Sequence, residues 1–158
     1  MSSITIGAWP TSFNVTPGQQ LSFYTTILAE NPTPPYFAMS VGLASEWVKA
    51  PDGSWQSLPL PDATPWVSSI TPATFSLPAY VSGTFYPEQG WPYGGNPASC
   101  GEPMQYVATV VQVPAAVPPA TYGLVLLATE QPDPNAPEGS VSILQAVGMT
   151  FTFVVASS

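Results

Sequence analysis

The sequence predicts an all-β chain, a single antiparallel β-sandwich, on three observations. First, residues 122–129 alternate strictly, with Tyr122, Leu124, Leu126 and Ala128 on one side and Gly123, Val125, Leu127 and Thr129 on the other. Both sides are largely apolar, the pattern of a central strand covered on both faces. Second, residues 147–155 repeat the pattern, with Val147, Met149, Phe151, Phe153 and Val155 in phase and Thr150 and Thr152 out of phase. Third, 21 prolines punctuate the chain, and no stretch carries a 3.6-residue apolar period long enough for an ordinary helix. The expectation is one domain over residues 1–158, interrupted by a long irregular proline-rich insertion at 50–103.

In chain order, Ser3-Ile4-Thr5-Ile6-Gly7 reads as a short strand that Trp9-Pro10 breaks. Ser12-Phe13-Asn14-Val15 resumes it on another sheet, and Pro17-Gly18 turns the chain. Residues 21–29 form a strand with Leu21, Phe23, Thr25 and Ile27 on one face. Asn31-Pro32-Thr33-Pro34-Pro35 is irregular, residues 36–43 make a third strand, and residues 45–48 make a helical turn at most. Asp52-Gly53 between Val48 and Trp55 is a hairpin turn. Residues 58–72 read as irregular around Trp66, and residues 74–86 carry alternating Phe75, Leu77 and Tyr80, then Val81 and Phe85, broken by Pro78. Residues 87–103 form the longest loop, holding Trp91, Tyr93, Gly94-Gly95 and Cys100. Residues 105–113 are a valine-rich strand. Pro118-Pro119 then forces an extended entry into the strand at 122–129, and residues 131–139 are an acidic turn.

Seven to nine short strands at this spacing make a sandwich. Val15-Thr16-Pro17-Gly18, then Val113-Pro114 and Pro119-Ala120-Thr121-Tyr122, resemble the immunoglobulin-like domains of virion and cell-surface proteins. In that resemblance Tyr122 takes the part of a tyrosine corner. The likeness covers the last third of the chain and the second strand, and departs at residues 50–101, longer than the family's connection, and at Ala120, where glycine is commoner. A single jelly-roll capsid barrel shares most of these features and stays open as the alternative.

Composition excludes more than it selects. Only 6% of residues are charged, against about 25% in an ordinary soluble domain. Nine acids, one Lys (Lys49), no Arg and no His give a net charge of -8. Without His there is no Ser-His or Cys-His pair and no imidazole zinc site. Cys100 has no intrachain partner; it is a small loop residue or one half of an intermolecular disulfide. One cation cannot neutralise a phosphate backbone, so nucleic acid is excluded, and no apolar run is long enough to span a membrane. No cofactor is implied.

The remaining candidates are few. Glu88 and Glu102 flank the aromatic loop, but no spacing requires them to meet as a glycosidase pair. Asp133, Asn135 and Glu138 offer oxygen ligands for calcium without an EF-hand pattern; the alternative is a solvated acidic turn. Trp47, Trp55, Trp66, Trp91 and Tyr93 lie in or beside the irregular middle. Such aromatics pack under the proline-rich loops as satellite clusters, are buried between subunits, or are offered to a sugar ring, as in a carbohydrate-binding module or adhesin. The expected function is a non-enzymatic structural protein, a viral capsid or capsid-decoration subunit or comparable external assembly, that homo-oligomerises or joins other virion or surface proteins. No signal peptide is visible at Met1-Ser2-Ser3-Ile4, and a virion protein, made inside cells and working outside, accommodates that. With so few cations, the fold is also expected to tolerate acid.

Overall fold

The computed structural model describes residues 3–30, 38–57, 66–131, 139 and 146–156. Twelve strands follow one another: β1 (Ser3–Gly7), β2 (Ser12–Val15), β3 (Gln20–Glu30), β4 (Ala38–Lys49), β5 (Trp55–Ser57), β6 (Val67–Thr71), β7 (Thr74–Ser76), β8 (Tyr86–Pro87), β9 (Ser99–Cys100), β10 (Met104–Gln112), β11 (Ala120–Gln131) and β12 (Ala146–Val155). They form a four-stranded sheet, β1-β3-β10-β6, a six-stranded one, β2-β12-β11-β4-β5 with β7 also on β4, and a two-stranded ribbon, β8-β9. No helix occurs among the described residues. Among the described residues, the strands pair antiparallel except β2, which runs parallel to β12.

Alternation builds the core. Phe23, Thr25, Ile27 and Ala29 of β3 and Val107, Thr109 and Val111 of β10 point inward from the first sheet. Leu124, Leu126 and Ala128 of β11 and Phe151, Phe153 and Val155 of β12 meet them from the second. The two sheets interlock through rings: Phe23 and Phe151 lie 4.4 Å apart by centroid, and Trp66 covers Tyr122 at 4.9 Å. Thr109 Oγ1 is the one buried side-chain polar atom without a hydrogen-bond partner among the described residues. The Tyr122 hydroxyl donates to the Pro118 carbonyl at 2.8 Å, closing the corner that leads into β11.

Several expectations need correction. Residues 45–48 are not a helical turn; β4 continues through them to Lys49, with a register shift against β11 between Val125 and Leu126. The bulge absorbs the residue that spoils the alternation. Residues 58–72 are not wholly irregular, since β6 pairs with β10 as an edge strand. Of residues 74–86, only β7 and the start of β8 are strand. Residues 50–103 contribute five short strands, β5 to β9, among the described residues. Strand β11 is central but not covered on both sides: Val125, Leu127 and Thr129 on its outer face are half-buried. Asp133, Asn135 and Glu138 lie outside the described residues.

Candidate functional site: the two outer faces

The tryptophans and tyrosine singled out in the sequence do not form one platform. Trp66 is core, 2% exposed, and is removed from the candidates. Trp91 and Tyr93 lie over the four-stranded sheet, and Trp47 and Trp55 over the six-stranded one.

On the four-stranded sheet, Ser22, Tyr24 and Thr26 of β3 and Tyr106 of β10 are out of phase with the inward set, which puts them on the surface side. The loop between β8 and β9 folds back over them. It is fixed by a bridge in which the Gln89 amide donates to the Met104 carbonyl at 3.1 Å and the Tyr106 amide donates to the Gln89 carbonyl at 2.8 Å. Gly90 makes the approach feasible. Its φ is 75°, and a Cβ there would lie 2.6 Å from Gln105 Nε2 and 3.0 Å from the Tyr106 carbonyl oxygen. Past that point Trp91 meets Tyr106 edge-on at 5.8 Å, and Tyr93 meets both Trp91 at 5.0 Å and Tyr24 at 6.3 Å. Trp91 Nε1–H donates to the Gly94 carbonyl at 2.9 Å, closing the loop on itself.

Beside this cluster, the crossover from β1 to β2 carries Trp9, 92% exposed, and the two together enclose a cleft of about 660 Å³. Tyr93, 66% exposed, lines it with Tyr24 and Tyr106. The Tyr106 hydroxyl donates to Glu88 at 3.4 Å, and burial followed by the Glu88 charge raises the Tyr106 pKa above the usual tyrosine value. Glu88 is thus engaged with a phenol. Glu102 accepts the half-buried Cys100 thiol at its backbone carbonyl, 2.9 Å away. Among the described residues no group of three acids or thiols could hold a metal ion.

The outer face of the six-stranded sheet is plainer. The β4–β5 hairpin turns at Asp52-Gly53, with Gly53 at φ 90°. Asp52 Oδ1 accepts from the Ser54 hydroxyl at 2.6 Å and its amide at 2.9 Å, which together hold the carboxyl below its usual pKa. Trp55 is laid across Gly123, where an added Cβ would sit 3.2 Å from the indole. Trp47, Trp55, Val125 and Thr150 line a shallow hollow of about 250 Å³ around that glycine. Lys49 Nζ stands 5.9 Å from the Trp55 ring centroid.

No protein-family model matches the sequence, and no curated protein matches it. Among solved structures, the chain is similar to the seventh ASH/PapD-like domain of human CEP192, with a TM-score of 0.56 and 10% identity over 98% of this chain and 86% of that one. The fold is an immunoglobulin-like β-sandwich. A family 123 glycoside hydrolase from Clostridium perfringens matches with a TM-score of 0.47 and 12% identity, over 100% of this chain and 28% of that one. BcpA, the major pilin subunit of Bacillus cereus, matches with a TM-score of 0.41 and 10% identity, over 98% and 40%.

Sequence reasoning passed over Trp9, Tyr24 and Tyr106. The last two did carry a signal: each is an aromatic residue out of phase with the core set of its strand. Trp9 carried none beyond its place before Pro10.

Proposed function

We propose that this chain is a non-enzymatic structural subunit of an external assembly, a viral capsid or capsid-decoration protein or a comparable surface structure. It self-associates through the outer face of the six-stranded sheet. One observation carries the reading: the central strand β11 is apolar on both faces, yet the described residues bury its inner face and leave the outer one half-covered. Leu126 is 0% exposed, whereas Val125 and Leu127 beside it are half-buried and Trp55 is 42% exposed. A second copy laid on that face removes the remaining apolar surface from water at about 25 cal/mol per Å². Scarce charge supports the same reading, because interface cores are depleted of charged side chains and this chain has one Lys and nine acids. The absence of His and Arg from the sequence, with Glu88 already engaged by Tyr106, supports a non-enzymatic role.

Size-exclusion chromatography with light scattering tests self-association. The native chain should oligomerise, while Leu127→Asp and Trp55→Ser should be monomeric with an unchanged β-type circular dichroism spectrum. A native chain that stays monomeric at about 1 mM, where even a weak complex of about −4 kcal/mol is half formed, overturns the reading. Copurification with particles tests its virion part.

A further inference from the structure

We infer that the cleft beside Trp9 is a binding site for a neutral saccharide. Its volume of about 660 Å³ lies within the range of small-molecule sites, roughly 300–1,000 Å³. Trp9 contributes almost nothing to the core at 92% exposure, so the fold itself gives no reason for an indole there. A pyranose ring offers apolar C–H faces that pack on an aromatic face, and hydroxyl groups around its rim. The cleft supplies both complements: Trp9, Tyr24 and Tyr93 for the faces, and the hydroxyls of Ser22, Thr26 and Tyr106 for the rim.

The direction of the hydrogen bonds narrows the ligand class. Thr26 Oγ1 already donates its proton to the Gly7 carbonyl at 3.3 Å, and the Tyr106 hydroxyl donates to Glu88 at 3.4 Å. Both oxygens are left with acceptor lone pairs, so the complementary ligand is one that donates. Saccharide hydroxyls donate. A proline-rich peptide, the other ligand that aromatic grooves take, lacks backbone N–H groups at its prolines and brings chiefly carbonyl acceptors. Charge excludes acidic sugars. The only basic side chain in the sequence, Lys49, stands beside Trp55 over the other sheet, and the carboxylate bonded to Tyr106 is Glu88.

The test is a titration of the native chain with neutral hexaoses of β-linked glucose, mannose, xylose and N-acetylglucosamine. Sialyllactose and a proline decamer serve as the competing classes, with tryptophan fluorescence and NMR as readouts. At least one neutral hexaose should bind. Trp9→Ala should weaken it about tenfold, roughly the loss of one aromatic stack, without moving the thermal midpoint. Tyr93→Ala should weaken it as well, while Trp47→Ala on the opposite sheet leaves it unchanged. No binding by any neutral hexaose at about 10 mM overturns the proposal. So does preference for sialyllactose or the proline decamer, or indifference to both Trp9→Ala and Tyr93→Ala.

Discussion

The two outer faces of this sandwich start from the same rule, alternate residues turned away from the core, and end up unlike each other. Over the four-stranded sheet the outward residues include Tyr24, Thr26 and Tyr106, and a loop bridged through Gln89 brings Trp91 and Tyr93 down on them. The result is a clustered, hydroxyl-rich surface with a cleft at its side. Over the six-stranded sheet the outward residues of β11 are Gly123, Val125 and Leu127, where the short hairpin strand β5 lays Trp55 across Gly123 and Trp47 lines the same hollow. That surface is flat, apolar and half-covered. Hydroxylated aromatics bring their own hydrogen-bonding partners and can recognise a small polar molecule, whereas bare aliphatics can only be shielded from water. The difference between the two faces is therefore written in the out-of-phase residues, not in the core.

The strongest way to break this comparison is on one strand. Leu126→Asp should abolish soluble folding, because an unpaired carboxylate at a fully buried position costs more than about 4–5 kcal/mol, close to the whole stability of a small domain. Leu127→Asp, one residue along, should keep the fold and lose only association. Chemical denaturation of both variants reads this; equal damage from both would mean that the outer face is as indispensable to the single chain as the inner.

Gly90 sharpens the other side. Gly90→Ala combines a positive φ with a Cβ driven at the Tyr106 carbonyl, and should cost about 1–3 kcal/mol while freeing the loop. Gly94→Ala, at φ 77° but with open space around it, should cost about 1 kcal/mol. Limited proteolysis between Glu88 and Ser99 distinguishes them, and neither change should alter association.

Tyr122→Phe comes next. It removes the hydrogen bond to Pro118 and should cost about 0.5–1.5 kcal/mol in thermal unfolding without affecting either outer face.

Effects of pH should be the smallest. Burial raises the Tyr122 pKa, and burial with Glu88 raises that of Tyr106, so both groups hold their protons more tightly folded than unfolded. Their contribution is complete below the ordinary value of 10.0 and is lost as pH rises through the folded values. Asp52 works oppositely: its depressed pKa gives stability above the usual 3.8 that is lost as pH falls through the folded value. Acid should thus loosen the β4–β5 turn and change Trp55 fluorescence locally. A cooperative unfolding transition between about pH 5 and 3 would contradict the acid tolerance expected of a chain with one Lys and no Arg or His.

Much of the fold was legible where period-two alternation was unbroken. Strands β11 and β12 pair as their patterns require, and Tyr122 closes its corner. What stayed hidden depended on distant partners. Residues 45–48 lack alternation, and they are strand because β11 pairs with them across a bulge. Strand β6 is a short edge whose apolar content is thin, and β10 recruits it. The aromatic cluster depends on a loop landing on strands from elsewhere in the chain, Tyr93 on Tyr24 above all, and no local pattern encodes where a loop lands. Trp66 looked like a loop residue because prolines precede it, yet it caps the core against Tyr122.

The parallel pairing of β2 with β12 has a mechanical meaning. The chain enters β2 from one end of this short ladder and leaves β12 at the other. Tension that reaches β2 from the N-terminal side and β12 from the C-terminal side therefore pulls the two strands lengthwise past each other. The ladder from Ser12↔Thr152 to Val15↔Val155, together with the bond from the Thr152 amide to the Thr11 carbonyl, is loaded in shear, all its links at once. An antiparallel end hairpin would instead open link by link. Survival under force is set by the rate of unfolding, and the four paired residues of this seam share such a load between them.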